Sequence, residues 1–110
     1  MKGIIFPRFL KWGDYTSQDE ENPDVIKCQV VETQTFQTKY AVCANVIVDN
    51  EYVSLSLHNF SSVNQSLLSL WNKGVAKNKI KVDSKFQLHT WLEQSTQNKD
   101  RKIRRYKLIF

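Results

Sequence analysis

Glycine is scarce in this chain, and so are proline, cysteine and histidine. Of 110 residues, three are glycine, two proline, two cysteine and two histidine. Gly3, Gly13 and Gly74 lie far apart, so the closely spaced glycines that let a backbone cradle phosphates are missing. Cys28 and Cys43 form no CxxC pair, and with His58 and His89 they make no convincing zinc set. Two isolated cysteines fit small buried thiols in a reducing, cytoplasmic setting; a disulfide between paired strands is the alternative. No apolar run approaches the roughly 18 residues of a spanning helix. The opening MKGIIFPRFLKW starts like a secretory leader. However, Pro7, Arg8 and Lys11 interrupt its apolar stretch, and no small-residue cleavage site follows.

Catalysis fares no better. A nucleophile needs a base beside it, and neither His58 nor His89 has a nucleophile signature at its flank. The acidic cluster Asp19-Glu20-Glu21 falls in a polar stretch, TSQDEENPD, that ends in a proline turn and reads as a solvated loop. No enzyme activity, cofactor or metal is expected.

What the chain does have is a charge gradient. Residues 1–72 hold five Lys and Arg against eight Asp and Glu, a balance of −3. Residues 73–110 hold eleven against three, a balance of +8. Such an imbalance within one small domain predicts a positive surface region that attracts polyanions. The basic residues are not on an amphipathic helix, the usual architecture for lying in a membrane interface, so no membrane partner is expected.

The hydrophobic pattern is mainly that of strands. Residues 1–24 read as an arm and acidic loop, and residues 25–110 as the domain proper. In VIKCQVVETQTF, Ile26, Cys28 and Val30 alternate with Lys27 and Gln29. In TKYAVCANVIVDN, Val42, Ala44, Val46 and Val48 oppose Cys43, Asn45 and Ile47. Asp49-Asn50 then signals a tight turn into EYVSLSLHNF, where Val53, Leu55 and Leu57 alternate with Tyr52, Ser54 and Ser56. The period switches in SSVNQSLLSLWNKG, where Val63, Leu67, Leu70 and Trp71 form a helical stripe. Ser61 or Ser62 is expected to cap its start and Gly74 its end. A basic connector, with a short strand expected around Ile80 and Val82, leads to KFQLHTWLEQS. After the loop EQSTQNKDR the last strand is KIRRYKLIF, with Tyr106 and Leu108 inward and Arg105 and Lys107 outward.

Three strands, one helix and two strands resemble the OB-fold, the five-stranded Greek-key barrel with a helix between strands three and four. The resemblance extends to small single-stranded-nucleic-acid-binding proteins of archaeal and bacterial type. It implies sequence-tolerant binding of single-stranded DNA or RNA in replication or repair. It also implies that the loops ETQTFQTKY (32–40) and EQSTQNKDR (93–101) flank a binding face on the second and third strands. Single strands are held by cations that track the phosphates and by aromatic rings on which bases stack. The candidate stacking residues are Phe36, Tyr40, Tyr52 and Trp91, the last expected to point outward beside His89. The candidate phosphate contacts are Lys39, Lys85, Arg101, Arg104, Arg105 and Lys107. The alternative is a protein-interaction or structural module, a homo-oligomer or partner complex docking through the apolar residues of the 1–15 segment.

Overall fold

A computed structural model describes residues 8–39, 41–57, 66–94 and 102–110. The chain is mostly β with one helix. The strands are β1 (Asp24–Val30), β2 (Phe36–Gln37), β3 (Val42–Val48), β4 (Glu51–Ser56), β5 (Lys85–Gln94) and β6 (Lys102–Ile109). The helix α1 (Leu67–Ala76) lies between β4 and β5, and a short 3-10 turn occupies Trp12–Asp14.

One antiparallel sheet holds all six strands in the order β4-β3-β1-β5-β6, with β2 beside β3 on the same edge as β1. There are six strands where the pattern predicts five, because the first expected strand bends away after Val30 and rejoins β3 only at Phe36 and Gln37. The sheet is open: among the described residues β4 pairs with β3 and β6 with β5, and the two do not pair with each other.

The expected hairpin is present. Val48 faces Glu51 across a two-residue turn, and Asp49 and Asn50 both adopt positive φ, 51° and 63°. Positive φ at both central residues makes a type I′ turn, whose twist matches that of the flanking strands.

Alternation fills one face of the sheet with Ile26, Cys28, Val30, Ala44, Val46, Val53, Leu55, Phe86 and Leu88, all buried. Helix α1 covers this face. Trp71 is fully buried, meets Phe86 edge-on at 6.1 Å, and donates its indole N–H to the carbonyl of Thr33 at 3.2 Å. The N-cap is Ser66, whose hydroxyl accepts from the amide of Ser69 at 3.1 Å. The expected caps Ser61 and Ser62, the stripe residue Val63 and also His58 lie outside the described residues.

Gly74 does not end the helix. The chain continues to Ala76 and stops at Asn78, which takes the left-handed conformation at φ 61°. The amides of Lys79 and Asn78 return to the carbonyls of Gly74 and Val75 at 2.8 and 3.0 Å, a Schellman closure with asparagine where glycine is usual. Gly74 is there for space. A Cβ on it would stand 2.6 Å from Cδ1 and 2.8 Å from Cγ1 of buried Ile80 and 3.2 Å from the Phe110 ring. The expected strand around Ile80 and Val82 is absent; Ile80 is a core plug in a turn, and Val82 is exposed.

Two stability predictions follow from this core. Alanine in place of a helical glycine ordinarily gains about 1 kcal/mol. Gly74→Ala should instead lose about 1–3 kcal/mol by overpacking, measured as a lower urea midpoint at unchanged slope. Burial raises the Cys28 thiol from 9.0 to about 12. Burial likewise raises the Tyr106 phenol from 10.0 to about 12, with nearby Arg104 opposing it. Groups raised in the folded state ionise more readily in the unfolded chain, so their stability is complete below about pH 9 and drains away as pH rises towards 12. Urea midpoints from pH 8 to 11.5 should fall, and Tyr106→Phe should flatten the part above pH 10.

Candidate nucleic-acid interface

The N-terminal segment lies between the two ends of the open sheet. The amide of Leu10 donates to the carbonyl of Ser54 at 3.0 Å, and that of Ser54 to Arg8 at 2.9 Å, so residues 8–10 run parallel to β4 along its outer edge. Arg8 also pairs with Glu51. The chain then turns, and Trp12 packs edge-on against Tyr106 of β6 with ring centroids 5.4 Å apart.

Arg104 fixes that turn. Its guanidinium donates to the carbonyls of Trp12 at 2.9 Å and Tyr15 at 2.8 Å, and to Thr90 Oγ1 at 3.1 Å, with its central carbon 5.5 Å from the Trp12 ring centroid. Arg104 faces inward with Tyr106 and Leu108 because β6 alternates from its first residue. It belongs to the scaffold and is not a surface phosphate contact as expected from the sequence.

The opposite parity of β6 forms the outer face. Trp91 stands opposite Arg105 and His89 opposite Lys107, each pair sharing one side of the sheet. Trp91 therefore points outward, as its alternation predicts. It is nonetheless only 7% exposed, which corrects its expected role as an open stacking platform. Its indole N–H donates to Glu93 Oε1 at 2.9 Å, and Arg105 Nε donates to Glu93 Oε2 at 3.0 Å. The Trp91 bond, and then Arg105, hold the Glu93 carboxyl below its ordinary range. The Arg105 charge is thus largely answered within the fold.

The acidic segment lies beside this corner. Leu92 donates its amide to the Ser17 carbonyl at 2.8 Å, and Lys102 bonds the side chain of Gln18. The Ser17 amide also donates to Asp24 Oδ2 at 2.9 Å. Asp19, Glu20 and Glu21 remain exposed, as a solvated loop should be.

Along the other half of the outer face the cations are open. Ladder pairing sets Tyr52, Ile47, Gln29 and Lys85 in one row across four strands, and Lys27, Gln87 and Ile109 in the next. Val25, His89 and Lys107 form a third row, with His89 Nε2 3.1 Å from Gln87 Oε1. Lys27, Lys85, Gln87 and Lys107 are exposed, and Tyr52 is 58% exposed. A cleft of about 630 Å³ is sunk into the first two rows, lined by Lys27, Gln29, Lys85, Gln87, Ile109 and Phe110 among others.

Lys85, His89, Lys107 and Tyr52 are thus brought to one face. Phe36 and Lys39 are not. Phe36 lies in β2, not in a loop, facing Cys43 at the far end of β3, and it lines a separate cleft with Thr35, Asn72 and Val75. Lys39 is exposed at that same end, roughly 20 Å along the strand direction from Lys85. Tyr40 and Arg101 lie outside the described residues. The outer side of β3 and β4, the expected binding face, is covered at its middle. Cys43, Asn45 and Ser54 are buried there, with Ser54 Oγ bonded to Asn45 Oδ1 at 3.2 Å. Lys27, Gln29, Gln87 and Phe110 were missed by sequence reasoning, although the alternation of β1 and β5 already placed the first three opposite the core positions.

No family model, curated protein or solved structure matches this chain.

Replacing Arg104 with Met should cost about 2–4 kcal/mol, since charged hydrogen bonds are lost and carbonyls are left without donors. Stability should fall in urea denaturation, whereas Lys107→Ala, on the open face, should leave it within about 0.5 kcal/mol.

Proposed function

We propose that this protein is a non-enzymatic, largely sequence-tolerant binder of single-stranded DNA or RNA, of the kind used in replication or repair. The observation that carries the reading is the outer face of β1, β5 and β6. It presents Lys27, Lys85 and Lys107 with His89, interleaved with glutamines and apolar groups. Cations at strand spacing match the repeating charge of a phosphate backbone, and an open sheet face admits a single strand.

The strand connectivity supports the OB-like reading of this arrangement. A β1-β3-β4 meander, a return of β5 to β1 and a β5-β6 hairpin are the pairings of that barrel, short of the seam between its third and fifth strands. In this reading the Arg8–Tyr15 segment occupies the seam. The alternative, docking to a partner through the 1–15 segment, draws on side chains of which Leu10 and Trp12 already pack against the chain's own core. Among the described residues no helix is long and apolar enough to cross a membrane.

The test is anisotropy of labelled single-stranded DNA, single-stranded RNA and duplex of equal length, titrated with salt. Single strands should bind more tightly than duplex, and log K should fall with log salt by about 0.7 per neutralised phosphate. No binding at about 50 mM salt rejects the proposal. Tryptophan quenching is a poor readout here, because Trp71 and Trp91 are both buried.

A further inference from the structure

The cleft on the outer face has a direction. Its lysines come from neighbouring strands, Lys27 from β1 and Lys85 from β5, and its glutamines, Gln29 and Gln87, alternate with them in a chequer. Each lysine is therefore paired across the ladder with a glutamine: Lys27 with Gln87, and Lys85 with Gln29. Apolar groups bound the cleft at its two sides. On one side stand Ile47 and, directly opposite it, exposed Tyr52. On the other stands Ile109, 36% exposed and paired across the ladder with Gln87.

Resting on the reading of this protein as a single-strand binder, we propose that the cleft is where the strand is held, and that the strand runs across the β-strands from Tyr52 to Ile109. Lys27 and Lys85 take successive phosphates. Gln29 and Gln87 offer both a donor and an acceptor to base edges, which suits tolerance of sequence, since any base can meet one or the other. Tyr52 supplies a face for the base at one end, and Ile109 an apolar contact at the other. The path crosses from β4 to β6, four inter-strand steps or roughly 19 Å. That is a short site, at the lower end of the about 4–16 nucleotides that a domain of this size covers.

Asp49 gives the proposal an opposing handle. It lines the same cleft from the tip of the β3–β4 turn, where a carboxylate faces any incoming phosphate. Removing its charge should therefore strengthen binding, an effect that damage to the fold does not imitate. Asparagine suits the left-handed conformation that residue 49 adopts at φ 51°.

The experiment compares wild type, the double variant Lys27→Ala/Lys85→Ala, Asp49→Asn and Tyr52→Leu, using labelled oligo-dT of increasing length across a salt series. The double variant should weaken binding at least tenfold at low salt and reduce the steepness of log K against log salt by about 1.4, the share of two phosphate contacts on a single strand. Asp49→Asn should bind more tightly than wild type, several-fold at low salt. Tyr52→Leu should lose about tenfold with its salt slope unchanged, as a stacking group does. Affinity should stop rising steeply once the oligonucleotide spans the cleft, at about 4 nucleotides. Wild-type binding with an unaltered slope in the double variant and no gain in Asp49→Asn overturns the cleft assignment while leaving single-strand binding standing. Failure of the wild type itself to bind any oligonucleotide overturns both.

Discussion

An open antiparallel sheet ends in two strands, each with one unsatisfied row of backbone donors and acceptors, and the fold depends on how those ends are covered. Here β4 and β6 do not meet. The Arg8–Tyr15 segment stands between them, held to β4 by two backbone hydrogen bonds at Ser54 and to β6 by Arg104. Arg104 suits this because its rigid fork serves Trp12, Tyr15 and Thr90 from one planar group. A lysine offers no such fork. Carbonyls at the start and end of a tight turn can be gathered by a single guanidinium, and the Trp12 ring beneath it adds a cation–π contact.

With that segment in place the core has a lid at one side, and α1 closes the other. The helix comes in close because position 74 has no side chain, which lets Ile80 and the Phe110 ring reach its backbone. The C-terminal end of the helix, the plug at Ile80 and the Phe110 ring are therefore one packing unit.

Strand periodicity was largely legible in the residues. The β3–β4 hairpin, its Asp49-Asn50 turn, the inward set of β1, β3, β4 and β5, and the inward Tyr106 and Leu108 all follow from a period of two. What periodicity does not record is what lies over the second face. Trp91 alternates outward, yet it is buried, because exposure depends on Glu93, Arg105 and the neighbouring acidic segment and not on parity. Cys43, Asn45 and Ser54 show the same limit: all three point away from the core by alternation and all are covered. Gly74 was legible as a helix-end signal, and the signal misled because a three-dimensional approach by Ile80 has no local signature. Phe36 looked like a loop aromatic because its strand is only two residues long.

The closing stretch DRKIRRYKLIF shows how charge and fold divide one sequence. Its cations look like a single basic cluster, but parity sends them to different tasks. Arg104 goes inward and is consumed by the N-terminal turn, Arg105 goes outward and is answered by Glu93, and Lys107 goes outward beside His89 with its ammonium exposed. A count of +8 over the last 38 residues therefore overstates what a polyanion meets on this strand. The positive face is instead completed from β1 and β5, by Lys27 and Lys85, one of which lies in the half of the chain whose net charge is negative. Net charge along the sequence points to a class of partner, and strand register, which joins residues far apart in the chain at about 5 Å, sets which surface carries the charge.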